Sequence, residues 1–232
     1  VPESALVRAA AQVPALGEYL SGPFDLPASV MLDAQWMRER VREIGVRWGC
    51  SDARVNGTLW WYAASSTMAF VPIATALAVG EAADPRLDDA RCFLRPDGSL
   101  GGVIGEATLD VEGLAAAMVE SFGALVDAVS AASGARVKAL WAIATDSIAN
   151  RCLDVGAALG NRALGSEFAV SLIDDMRAPM PAPRFVDVAG RRFTERCSCC
   201  LLYETDAADK CTSCPRRTPD DRLRGLHIAA RW

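Results

Sequence analysis

A chain of 232 residues that is 51% apolar and 23% charged excludes extensive disorder, and its 18 Gly and 12 Pro exclude a collagen-like or low-complexity composition. A chain this long buries a substantial core without disulfide staples, so its eight cysteines need another explanation. The net charge of −5 excludes a global attraction to nucleic acid or anionic lipid.

The charge is unevenly placed. Lys138 and Lys210 are the only lysines among 24 cations, and the arginine and alanine richness reads as the codon bias of a GC-rich genome. Residues 184–232 carry ten cations and seven acids, whereas residues 1–183 carry 14 cations and 22 acids. The C-terminal quarter is therefore a basic module on an acidic body.

The N-terminal Val-Pro-Glu-Ser lacks the basic flank and apolar core of a secretory signal, and the absent Met suggests a trimmed chain, so export is not expected. From Ser4 to Leu20, residues Leu6, Val7, Ala10, Val13 and Leu16 fall near one helical face, limited by Pro14 and Gly17. Asp33 is a good N-cap for a second helix running through Trp36, Met37, Arg40, Val41 and Ile44 to about Trp48 and Gly49. Residues 55–80 carry no charge and are long enough to span a bilayer, but Asn56, Thr58, Ser65, Ser66, Thr67, Thr75 and Pro72 interrupt them; a buried helix, kinked at Pro72, is expected instead.

Arg91–Arg95 and Leu100–Ile104 flank Pro96-Asp97-Gly98-Ser99, which reads as a β-hairpin. Asp110 then caps a helix with Leu114, Met118, Phe122, Leu125 and Val129 on one face, closing at Ser133-Gly134. A longer apolar pattern runs from Val137 through Trp141, Ile148 and Cys152 to Leu159, and a short helix is expected from about Ser166 to Met176. Ala178-Pro-Met-Pro-Ala-Pro183 cannot continue a helix and marks a boundary. Beyond it, Phe185–Val188 and Arg191–Phe193 read as strands about Ala189-Gly190, and Thr218-Pro219 opens a terminal helix expected to reach Trp232. The fold class is α+β, predominantly helical: a helical body over residues 1–178 with a small β-hairpin, and a cysteine-rich module over residues 184–232.

Five of the eight cysteines, Cys197, Cys199, Cys200, Cys211 and Cys214, fall within 18 residues. Clustered thiols in a chain without a secretory signal read as metal ligands, and soft thiolates select zinc or an iron–sulfur cluster. Cys50, Cys92 and Cys152 stand alone among apolar neighbours and read as small core residues. Thiolate number does not separate the two metals. Spacing bears on it, because neighbouring side chains of an extended chain point to opposite sides, so Cys199 and Cys200 chelate one tetrahedral ion awkwardly. Two irons would let adjacent thiolates reach different metals, without deciding which cysteine binds which. A zinc-stapled interaction module without redox activity is the alternative reading.

The adjacent pair Cys199-Cys200, ten residues, Cys211, two residues and Cys214-Pro215 resemble, position for position, the C-terminal motif of the FhuF-like ferric-siderophore reductases. Tyr203 and the preceding Arg192-Phe193-Thr194-Glu195-Arg196 are similar too. Looser similarity extends to Arg54-Val55 with the following helix through Val79, and to Trp141–Leu159. The resemblance implies a cytoplasmic iron–sulfur oxidoreductase; the sequence itself points to no transmembrane segment and no nucleic-acid partner, and leaves contact with the inner face of the membrane open. It implies a 2Fe-2S cluster on Cys199, Cys200, Cys211 and Cys214, and reduction of iron(III) held by a hydroxamate-type siderophore, with a ferredoxin or a flavin reductase as electron donor. Cys197 is an extra thiol and reads as a bystander.

Little acid–base machinery is needed, because hydroxamate oxygens hold iron(III) far better than iron(II) and one electron collapses the affinity. Arg191, Arg192, Arg196, Arg216 and Arg217 are candidates for offsetting the negative charge of the thiolates or docking an acidic donor. Of the aromatic residues Trp36, Trp48, Trp60, Trp61, Tyr62 and Trp141, we take Trp60, Trp61, Tyr62 and Trp141 as candidate walls for the siderophore. The sole histidine, His227, reads as an ordinary surface residue. No Gly-x-Ser-x-Gly elbow or phosphate-binding glycine loop supports hydrolysis or nucleotide chemistry.

Overall fold

A helix that is apolar on every side has to be surrounded. In the computed structural model, which describes residues 4–231, the uncharged segment is such a helix, α4 (Ala53–Val79), buried along nearly its whole length. Its neighbours are α1 (Ala5–Gln12), α3 (Ala34–Trp48), α5 (Val111–Ser133) and α6 (Val137–Ala158). The short α2 (Gly17–Leu20) follows α1 after a single 3-10 turn, in the stretch where Pro14 and Gly17 limit the first helix. By length and composition α4 and α5 would each cross a bilayer, yet two-thirds of the most apolar stretch of α4 lies inside the fold.

Polar residues that interrupt α4 find partners, as burial requires. Ser65 shares a 2.8 Å hydrogen bond with Ser147 of α6, and Thr67 donates to the Leu100 carbonyl. Thr75 donates to the Val71 and Pro72 carbonyls in the turn that Pro72 deprives of an N–H, and it accepts the Ala83 N–H at 2.8 Å.

Helix ends follow local chemistry. Asp33 accepts the Gln35 and Trp36 N–H groups and α3 closes at Gly49; Asp52 caps α4 in the same way through Arg54 and Val55. Asp110 precedes α5, but its carboxylate makes no capping bond. Helix α7 spans Arg162–Met176, starting four residues before the expected Ser166 because Asn161 caps it through the Leu164 N–H. It crosses α6 at a glycine contact. A Cβ on Gly165 would run into the Cys152 carbonyl oxygen, and one on Gly156 would lie 2.9 Å from the Gly165 Cα, so side chains there would force the helices apart.

The sheets are small and antiparallel. The expected hairpin is β3 (Arg91–Leu94) with β4 (Leu100–Ile104), joined on its edge by β1 (Leu26–Pro27), with Leu26 opposite Cys92. A second pair joins β2 (Glu81–Ala83) to β5 (Thr108–Asp110). After the proline segment, β6 (Phe185–Val188) and β7 (Arg191–Thr194) form a hairpin about Ala189 and Gly190, both at positive φ. The last helix, α8 (Pro219–Ala229), begins at the Thr218 cap as expected and ends short of Trp232, which lies outside the described residues.

Candidate metal centre

Strand β7 delivers the chain to Arg196, and from there to Arg217 the backbone is irregular apart from one short 3-10 turn, held by side chains rather than by a ladder. Two anchors fix it to the body. Asp146 of α6 accepts the Cys197 N–H at 2.8 Å on one oxygen, and the Ser198 N–H at 3.1 Å and hydroxyl at 2.5 Å on the other. Arg54 at the start of α4 pairs with Glu204 at 2.8 Å. Cys200 and Leu201 thereby join the same buried cluster as the helical body.

Four thiols meet inside this segment, in pairs. The Cys199 and Cys214 sulfurs lie 3.7 Å apart, and Cys200 and Cys211 are close enough to shift each other's proton affinity. Cys200 and Cys214 are buried, while Cys199 and Cys211 are half-buried. Leu201 sits in the left-handed region at φ 65°, and the Leu201 and Leu202 N–H groups favour the thiolate forms of Cys199 and Cys200 respectively. The Cys211–Cys214 turn is closed by a Cys214 N–H to Cys211 carbonyl bond of 3.1 Å and is covered by α8, where Thr212 leaves no room for a Cβ on Gly225.

Arg196 lies beneath the thiols, 5% exposed. Its Nη1 donates to the Cys211 sulfur at 3.5 Å, its Nε stands 3.5 Å from Asp146, and its guanidinium lies 4.8 Å from the Tyr62 ring centre. The electrostatics follow from this packing. The neighbouring Cys211 thiol draws the Cys200 thiol down to about 5, with the Leu202 N–H and Arg196 assisting against burial. Cys211 is pushed up by that same interaction and by burial, and burial raises Cys199 and Cys197. Burial also raises the Asp146 carboxyl, against the hydrogen bonds it accepts from Ser198 and Cys197. Burial opposes the Arg196 charge, but the groups around it, Tyr62 first, then Cys200, Asp146 and Cys211, hold its proton more firmly than usual.

The residues present fit a two-iron cluster. Thiolates suit iron–sulfur chemistry, and the buried Nη2 of Arg196 lacks a hydrogen-bond partner among the described residues, leaving a donor for an anionic group while Nε faces Asp146.

The remaining expected residues are scattered. Cys197 turns its sulfur toward the Ala182 carbonyl, 3.7 Å away. Arg192 pairs with Asp187 and bonds Ser166, Arg191 bonds the Ala229 carbonyl, and Arg217 bonds the Cys211 carbonyl at 2.9 Å. These three hold backbone or hairpin together; Arg196 alone of the five arginines contacts a thiol. Arg216 packs over Tyr203 and lines a cavity of about 640 Å³ with Cys199, Glu204, Arg54, Arg136 and Lys138. The candidate aromatic wall is mostly buried. Trp60, Trp61 and Trp141 are core residues, with Trp61 donating to the Leu140 carbonyl at 2.8 Å, and only Tyr62 reaches the surface. Cys92 and Cys152 are core, and His227 is exposed. Sequence reasoning missed Asp146, although a lone acid between Thr145 and Ser147 on an apolar helix signals a buried partner. It also missed Arg136 and Lys138, which line the cavity with the expected Arg216 but lie on a distant segment.

No curated protein matches the chain. Residues 196–216 match the family model of the FhuF 2Fe-2S C-terminal domain, so this segment, with its paired thiols and buried arginine, is a domain of that kind and its cofactor is a 2Fe-2S cluster.

Proposed function

We propose that the protein is a ferric-siderophore reductase of the cytoplasm, with Cys199, Cys200, Cys211 and Cys214 as the cluster ligands. Residues 184–232 form the cluster module and residues 1–178 the docking body. When bound, the cluster supplies a one-electron redox couple. The observation that carries the reading is the cavity of about 640 Å³ with Cys199 in its wall, within the size range of small-molecule sites and open beside the thiols.

The residues divide the work. Asp146 fixes the backbone at Cys197 and Ser198, and Arg196 offsets thiolate charge at Cys211. Arg136, Lys138 and Arg216 surround the opening without an ion-pair partner among the described residues, which suits the acidic surface of a ferredoxin or a flavin reductase. Donor and ferric chelate use the opening at Cys199 in turn. One electron from the donor converts hydroxamate-bound iron(III) to iron(II), and the hard oxygen ligands then release the metal.

The test is protein purified without air, with iron, zinc and sulfide quantified and absorption and EPR spectra recorded before and after dithionite. Two irons and two sulfides per chain, with colour that bleaches on reduction and returns on adding a ferric hydroxamate, is the expected result. Cys214→Ser abolishes or grossly alters the spectrum, and Cys197→Ser leaves it intact. A reduced protein that ferric hydroxamates fail to reoxidise overturns the reading.

A further inference from the structure

Adjacent cysteines raise the question of how four thiols divide between two irons, and the pairing of sulfurs answers it. Two thiolates on one tetrahedral first-row ion, each about 2.3 Å from it, stand about 3.8 Å apart. The Cys199 and Cys214 sulfurs are already 3.7 Å apart, which leaves Cys200 and Cys211 as the other pair. The backbone accounts for the crossing. Cys199 is half-buried and Cys200 buried, as expected of adjacent side chains that leave the chain on opposite sides and reach different partners.

The two pairs also differ in surroundings. Arg196 donates to Cys211, whereas Cys199 faces the cavity. A buried cation stabilises added negative charge most where it is closest.

We propose that Cys199 and Cys214 hold one iron and Cys200 and Cys211 the other, and that the iron beside Arg196 becomes ferrous on one-electron reduction. The electron comes from dithionite in the test below, and no bond to the protein forms or breaks. This inference rests on the ligand set proposed above. Each loop supplies one sulfur to each iron, so neither loop holds a metal alone.

The test uses the full chain as anaerobic holoprotein, with iron and sulfide quantified first. In the dithionite-reduced protein, the β-protons of cysteines on the ferric and ferrous ions show opposite temperature dependence of their hyperfine-shifted NMR signals, and nuclear Overhauser effects assign each to its residue. Cys199 and Cys214 are expected to behave as the ferric pair, and Cys200 and Cys211 as the ferrous pair. Cys199 grouped with Cys200 or Cys211 overturns the pairing, and a ferrous Cys199–Cys214 pair overturns the role given to Arg196. Mössbauer spectra provide a second readout: Cys199→Ser perturbs the ferric doublet and Cys211→Ser the ferrous one. Failure to find two irons and two sulfides instead overturns the ligand set, so the two failures are distinct.

Discussion

Asp146 and Arg196 form an ion pair at 3.5 Å with side chains 1% and 3% exposed, joining helix α6 of the body to the thiol segment. The pair is not isolated. Asp146 also accepts three hydrogen bonds from Cys197 and Ser198, and Arg196 reaches the Cys211 sulfur, so one carboxylate and one guanidinium link helix α6 to the cluster loops.

Asp146→Ala strands a buried guanidinium and removes the acceptor of two backbone N–H groups, a loss of about 3–5 kcal/mol for breaking one partner of a buried pair. The expected result is a lower denaturant midpoint for loss of the cluster's visible absorbance. Asp146→Asn, which keeps one carbonyl acceptor, falls between it and the parent. An unchanged midpoint in Asp146→Ala would show that the carboxylate does not anchor the loops.

Arg196→Leu removes the cation beside Cys211 and leaves Asp146 uncompensated, and both changes disfavour an added electron. The midpoint potential is expected to move to more negative values in a spectroelectrochemical titration. Arg196→Lys, which restores a charge without the planar fork, recovers part of the shift. Equal potentials in Arg196→Leu and the parent contradict an electrostatic role.

The parts of this architecture written in local chemistry were readable from sequence. The Asp33 cap, the turn at residues 95–99 and the Ala189-Gly190 hairpin each depend on a few adjacent residues, and each forms where expected. The strands β1, β2 and β5 were not readable, because two or three residues carry no alternation and their pairing is distant, as between Glu81 and Asp110. The thiol segment was legible through its spacing, whereas its supports were not. Asp146 lies 51 residues before the Cys197 N–H it accepts, and no local pattern connects them. Tryptophan type alone misled for the opposite reason: an aromatic ring suits a binding wall or a core equally, and packing around α4 put Trp60 and Trp61 inside.

Gly165→Ala tests the α6–α7 crossing. Its Cβ would meet the Cys152 carbonyl, a backbone atom that cannot swing away, so the helices must separate at an overpacking cost of about 1–3 kcal/mol. Thermal unfolding of the holoprotein is expected to drop by about 2–4 °C for each kcal/mol in a chain of this size. Gly17→Ala, at a helical position with nothing within 4 Å, serves as the control and stays within about 0.5 kcal/mol. Equal midpoints for the two variants would mean that the crossing tolerates a methyl group.

Arg136 and Lys138 open α6 beside the cavity and share its wall with the thiol loop. Reversing them with Arg136→Glu and Lys138→Glu replaces an attractive rim with a repulsive one for an acidic donor. The second-order rate of reduction by a ferredoxin is expected to fall about tenfold or more at low salt. The gap then narrows as ionic strength rises, because the Debye length shrinks to about 3 Å at 1 M salt. Stopped-flow bleaching of the cluster across a salt series measures this, with reduction by dithionite as the check that the cluster itself is intact. A donor rate indifferent to both the reversal and the salt places electron entry away from this rim.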